Sequence, residues 1–148
     1  MNMVVKGTVV SINVSAKRGE RKTPVKSIYI TEKGLEGDAH AGNFHRQVSL
    51  LSEESIDKIR RKGIKIGYGD FAENLTVRGI DLSTLVVGQR IKIGRDVVLE
   101  ITQIGKECHQ GCAIKQQIGD CVMPREGIFA KVIVEGLVSV GDSITLLD

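Results

Sequence analysis

Tryptophan is absent from these 148 residues, and the aromatic complement stops at two Tyr and three Phe. Nucleic-acid readers interleave aromatics with positive charge to stack bases, so this scarcity argues against a nucleic-acid partner. No apolar run approaches the roughly 18 residues of a membrane span, which argues against a membrane partner. The opening MNMVVKGTVV lacks the charged and then long apolar pattern of a signal peptide, so a cytoplasmic protein with reduced thiols is expected. Cysteine is scarce as well, at three residues, and an odd number cannot form a closed set of structural disulfides. Net charge is only +3, but it is unevenly placed. Lys, Arg, Asp and Glu sum to +4 over residues 1–50, +1 over 51–100 and −2 over 101–148. Much of the positive excess sits in Lys17, Arg18, Arg21, Lys22 and Lys26, a loop suited to a small anionic ligand or simply to solvent.

The few thiols are concentrated. Cys108, Cys112 and Cys121, with His109, all fall in GKECHQGCAIKQQIGDCVMPR, residues 105–125, between two runs with strand character. A chain that gathers every thiol into one segment binds something there or does chemistry there.

At this length the chain is expected to be one domain over residues 1–148, with a core large enough to need no disulfides. Val4–Val14 alternates apolar and polar residues as a half-buried strand does. Ser15–Thr23 is a charged loop closed by Pro24, and Val25–Ile30 alternates again. GLEGDAHAGNFHRQ, Gly34–Gln47, has three glycines and no periodicity, and is long for a passive connection, so it is assigned as a ligand loop. Val48–Leu51 leads to Ser52, an N-cap with Glu53 and Glu54 behind it. The helix is expected to run to about Lys62 and stop at Gly63. Strands follow over Glu73–Val77, Leu85–Ile93, Val97–Ile104, Ile128–Val134 and Ser143–Leu147, with a hairpin around Gly94, Arg95 and Asp96. LVVGQRI (Leu85–Ile91) echoes VSVGDSI (Val138–Ile144), as repeated barrel corners would. About seven short strands with one or two short helices predict a mainly β barrel.

Three readings compete for the cysteines. Cys108, Cys112 and Cys121 could ligate zinc, although only Cys108 and Cys112 have knuckle-like spacing. They could be buried as small hydrophobes, a role that suits Cys121 beside Val122 and Met123. Or a thiolate carries the chemistry. Lys106 and His109 flank Cys108 with positive charge, and if CHQGCAIKQQIG opens a short helix, Cys108 sits at its N-terminal end, where a thiol pKa falls. Cys112 would then lie one turn on as a supporting thiol, an arrangement suited to persulfide exchange or soft-metal coordination.

GLEGDAHAG followed by HRQVSLL, then AENLTVRGIDLSTLVVGQRIKIG, VVLEIT, GKECH and GIFAKVIVEGLVSVGDSI, resembles the MOSC domain over about Gly7 to Ile144. The pieces are specific through their order. The resemblance implies a β-strand-rich barrel and one functional cysteine, which falls on Cys108. That cysteine would carry persulfide sulfur or ligate the molybdenum of a bound pterin cofactor, the molybdenum cofactor (molybdopterin). Gly37, Asp38, His40, Gly42, His45 and Arg46 would line the same pocket. His and Arg donors suit a phosphate or a metal oxo group, and glycines permit close backbone approach. The bland alternatives are hydrogen bonding among Asp38, His40 and His45 that merely shapes the loop, and surface ion pairs for Arg46 and Arg125.

The resemblance thus implies a sulfur carrier in cofactor biosynthesis or maturation. Its partners would be a cysteine desulfurase as donor, and molybdenum cofactor biosynthesis proteins or molybdoenzymes as acceptors. One alternative is a molybdenum-cofactor-dependent reductase of N-hydroxylated compounds with Cys108 as metal ligand. The other is a zinc-stabilised, non-enzymatic binding module.

Overall fold

Alternation sets the strands. In β8 (Val97–Ile104), Val97, Leu99 and Ile101 are buried while Val98, Glu100 and Thr102 are half-buried between them, the period of two that turns one face inward. The computed structural model describes residues 5–17, 20–39, 41–43, 45–105 and 126–147. Its other strands are β1 (Val5–Val14), β2 (Thr23–Val25), β3 (Ser27–Thr31), β4 (Gly34–Leu35), β5 (Val48–Ser52), β6 (Leu75–Arg78), β7 (Arg90–Ile93), β9 (Ile128–Val134), β10 (Gly136–Ser139) and β11 (Ser143–Leu147).

The large sheet runs β11-β7-β8-β9-β5-β6-β1-β2, and β11 also pairs with β1. With β2 appended to β1, the remaining seven strands close on themselves, as the mainly β barrel expectation requires. Closure leaves no long unpaired edge in the ring. A second sheet, β10-β3-β4, stands beside it. The interior holds Val9, Ile12, Val48, Leu50, Leu75, Ile91, Leu99, Ile101 and Ile144 in one continuous cluster. Each fully buried Leu or Ile there contributes about 1.5–3 kcal/mol of apolar transfer.

Every pairing in the ring is antiparallel except β5 with β6, which is parallel. A parallel neighbour needs a crossover, and α1 (Glu53–Arg60) supplies it. Ser52 Oγ accepts the Ser55 N–H, Glu53 and Glu54 occupy the first turn, and Lys58 and Arg60 the last. Ile56 and Ile59 pack with Leu51, Phe71 and Phe129 in a second cluster. All five residues of β5 are therefore buried, Val48 and Leu50 in the barrel cluster and Leu51 beneath the helix.

The two echoing sequences form matching corners. Gly88 and Gly141 take φ of +95° and +96°, a region that favours glycine. The Gly88 N–H donates to the Ile101 carbonyl, and the Ile101 N–H to Gln89. In the same way the Gly141 N–H donates to Val9, and the Val9 N–H to Asp142.

Several boundaries differ from expectation. Val25–Ile30 is broken at Lys26 into β2 and β3, and Pro24 sits within β2, an edge strand where a missing N–H is tolerated. The Leu85–Ile93 run becomes strand only at Arg90, because Leu82–Thr84 is a 3-10 turn and Val86 to Gly88 form the corner. The strand expected from Glu73 starts at Leu75, the helix ends at Arg60, and β10 was not expected. Among the described residues there is one α-helix and one 3-10 turn.

Candidate functional site

The glycine-rich loop leaves the β3–β4 hairpin, where Ile30 pairs with Leu35 and Thr31 with Gly34. Its two halves do different work. In the first, Asp38 turns inward: Oδ1 lies 2.7 Å from Lys22 Nζ and accepts the Ser15 N–H at 3.0 Å, with both side chains of the ion pair fully buried. The Ala39 N–H donates back to the Ser15 carbonyl, so the loop is laced to the end of β1. Gly37 is exposed at φ +79°, with nothing near its would-be Cβ, and makes a turn.

In the second half, Gln47 staples the loop. Its Nε2 donates to the carbonyls of Glu32 and Gly42, and its Oε1 accepts the Val132 N–H from β9. His45 and Arg46 are thereby set against β8 and β9. His45 Nε2 lies 3.0 Å from Gln103 Oε1, and Thr102 Oγ donates to the His45 carbonyl. Both contacts come from residues at a β-bulge, where the pairing of β8 with β9 shifts register between Ile101 and Gln103. Arg46 stacks over the Phe129 ring, 5.8 Å from its centroid.

Arg46 Nε is buried and has no hydrogen-bond partner among the described residues. A buried guanidinium N–H without an acceptor is a rarity that calls for one, and an oxyanion is the natural partner. The residue therefore fits the phosphate or oxo group of a molybdenum cofactor. His40, Lys106, Cys108, His109, Cys112, Cys121 and Arg125 lie outside the described residues. The flanks of residues 106–125 are nonetheless fixed together, since the Gly105 N–H donates to the Gly127 carbonyl at 2.7 Å. Gln103 Nε2 donates to the Gly105 carbonyl at 2.8 Å. Gln103 thus bonds both His45 and the root of the cysteine-bearing segment.

A cleft of about 590 Å³ opens at the same end of β8, a size that suits a small ligand. Ser52, Glu54, Ser55 and Lys58 of the α1 region border it, with Gly79 to Ser83 after β6, and Ile104, Glu126 and Ile128. Among the described residues its charged lining is three carboxylates, Glu54, Asp81 and Glu126, against Lys58. Hydrogen bonds from Ser83 hold the Asp81 carboxyl below the ordinary Asp value.

The sequence pointed to His45 and Arg46 but missed Gln47, Thr102, Gln103 and the buried Lys22 ion pair. Neutral amides and hydroxyls carry no chemical signature until their partners are known.

A closed seven-stranded barrel, whose glycine-rich loop is tied through His45 and Gln103 to the start of the thiol-bearing segment, is the class of protein these features define. The chain belongs to the MOSC domain family, whose model matches residues 36–145, and that family is associated with the molybdenum cofactor. The crystal structure of the YuaD protein from Bacillus subtilis is similar at a TM-score of 0.82 and 21% identity, over 98% of this chain and 97% of that one. YiiM from Geobacillus stearothermophilus gives 0.73 and 22%, over 96% and 75%. YiiM from Escherichia coli gives 0.70 and 19%, over 96% and 70%. At such identity the likeness shows the fold. Comparison with the curated proteins gave no match.

Proposed function

We propose that this MOSC-domain protein binds the molybdenum cofactor (molybdopterin) and handles persulfide sulfur through Cys108. One observation carries the reading: Gln103 ties the loop bearing His45 and Arg46 to the root of the cysteine segment. Arg46, with its unpartnered Nε–H, would take the cofactor's phosphate, and His45 would stand beside it. When bound, the cofactor would supply the acceptor for the delivered sulfur.

The chain's own chemistry is a thiolate exchange. The Cys108 thiolate attacks the outer sulfur of a donor persulfide, the donor's S–S bond breaks, and the donor leaves as a thiolate. Cys108 then holds the persulfide, and no external oxidant is consumed. Lys106 and His109 favour the attacking thiolate by proximity of positive charge in the sequence. The donor class is a cysteine desulfurase, and the receivers are cofactor biosynthesis proteins or molybdoenzymes.

Mass spectrometry tests the assignment. After incubation with a desulfurase and cysteine, a peptide containing Cys108 should gain one sulfur mass, and Cys108→Ala should abolish that gain. Labelling that survives Cys108→Ala refutes the role.

A further inference from the structure

Gln103 does more than tie two segments together, because the polarity of its amide is settled by one partner and imposed on the other. The Gly105 carbonyl can only accept, so the 2.8 Å contact from Gln103 Nε2 fixes which end of the amide is the NH2 group. Gln103 Oε1 then faces His45 Nε2 at 3.0 Å, and a carbonyl oxygen likewise only accepts. His45 Nε2 therefore carries a hydrogen and donates it. In a neutral imidazole one ring nitrogen carries the hydrogen and the other the lone pair, which falls here on Nδ1.

Both ends of this relay are anchored by the backbone. The Gly105 N–H is bonded to the Gly127 carbonyl, and Gly105 itself is buried at φ +66°, a conformation that glycine adopts freely. The acceptor that orients the amide is thus fixed. At the other end the Thr102 hydroxyl donates to the His45 carbonyl, and Gln47, two residues further on, is bonded to the Val132 N–H of β9. Turning the amide over would bring two carbonyl oxygens together and lose the bond to Gly105.

We infer that Gln103 is a positioning residue that holds His45 as the Nε2–H tautomer, so that Nδ1 is the ring atom through which a proton is taken up or returned. Its use in sulfur transfer rests on the proposed function. Cys108 must lose a proton before it attacks, and a histidine in this form accepts a proton rather than supplying one.

Long-range ¹H–¹⁵N correlation spectra of the labelled chain, recorded above the titration of its histidines, read the tautomer directly, with His45→Gln identifying the signal. The wild type should show a protonated Nε2 and an unprotonated Nδ1. Gln103→Met, similar in length but without an amide, should give the averaged pattern of an unconstrained imidazole. Its melting temperature should stay near that of the wild type, because the contact with His45 is exposed. Gln103→Glu restores an acceptor and should restore the Nε2–H form. Persulfide loading of Cys108, followed by mass spectrometry, should slow several-fold in Gln103→Met. A wild-type ring protonated at Nδ1, or one pattern shared by the wild type and Gln103→Met, would overturn the inference. An unchanged loading rate in Gln103→Met would overturn the part given to His45 in transfer. A wild type that gains no sulfur would instead sink the carrier reading, with the tautomer still decided by the spectra.

Discussion

Burial raises the carboxyl pKa of Glu73, whose Oε1 is buried with no partner among the described residues, although Oε2 accepts from the Gly69 N–H and the Thr76 hydroxyl. These bonds favour the charged form but do not offset desolvation. A raised folded pKa favours the neutral acid in the native state. The stabilisation is full below the unfolded carboxyl value of about 4.3 and is lost as pH rises through the folded value. Glu73→Gln mimics the neutral acid, so its denaturation midpoint should change less between pH 5 and pH 8 than that of the wild type. An identical pH slope in the two proteins would refute the account. The preceding Ala72 has φ +63°, the one positive value among the described non-glycine residues, and Gly69 leaves no space for a Cβ, which would lie 2.3 Å from the Lys22 carbonyl. The whole Gly69–Asn74 turn is thus built around that acid. Asp38 makes a second residue-scale case. Removing one partner of a buried ion pair costs about 3–5 kcal/mol, so Asp38→Asn or Lys22→Met should lower the urea midpoint sharply. Phosphate affinity should fall much less in any Asp38→Asn protein that remains folded than in Arg46→Ala, since Arg46 carries the unpartnered donor.

The β8 bulge is where an element shapes the site. Thr102→Val keeps β-branching and strand propensity but removes the hydroxyl that donates to the His45 and Phe129 carbonyls. Stability should drop by about 1 kcal/mol, while binding of phosphate at Arg46, read by calorimetry, weakens as His45 loses its register. Unchanged phosphate affinity would show that the bulge has no positioning role. Elements also divide what the sequence made legible from what it hid. Val97–Ile104, Ile128–Val134 and Ser143–Leu147 matched their expected bounds because alternation and turn residues coincide there. Leu85–Ile93 misled because Val86 and Val87 carry strand-like side chains yet stand 62% and 61% exposed at a corner. That exposure is fixed by the hydrogen bond from Gly88 to Ile101, a long-range partner invisible in the local pattern. Gly136–Ser139 escaped notice because a four-residue strand beginning with glycine has little pattern, and its pairing with β3 is what makes it a strand. The loop at Gly34–Gln47 was recognisable from its glycines, but its division into an anchored half at Asp38 and a presenting half at His45 and Arg46 depends on Lys22, Gln47 and Gln103. The cysteine assignments fall on residues outside those described, so they rest on the sequence alone.

For the molecule as a whole, the ring is closed by β1 against β11, with Val5 opposite Thr145 and Thr8 opposite Ser143. Such pairing across the length of the chain makes the cooperative unit the entire barrel. Deleting residues 143–148 should abolish the cooperative thermal transition rather than merely lower its midpoint, because Ile144 and its β7 and β1 partners lose their inward packing together. A sharp transition in the truncated chain, observed by calorimetry, would refute that. The barrel end bearing Ile104, Glu126 and the root of the cysteine segment is built from β5, β6, β8 and β9, whereas the seam lies at β1 and β11.

That arrangement has a consequence for a chain emerging from the ribosome. Until β11 is free to pair with β1 and β7, the ring cannot shut and Ile144 is missing from the interior cluster. The first and seventh strands, made earlier, therefore wait for one late arrival before either acquires both of its neighbours around the ring.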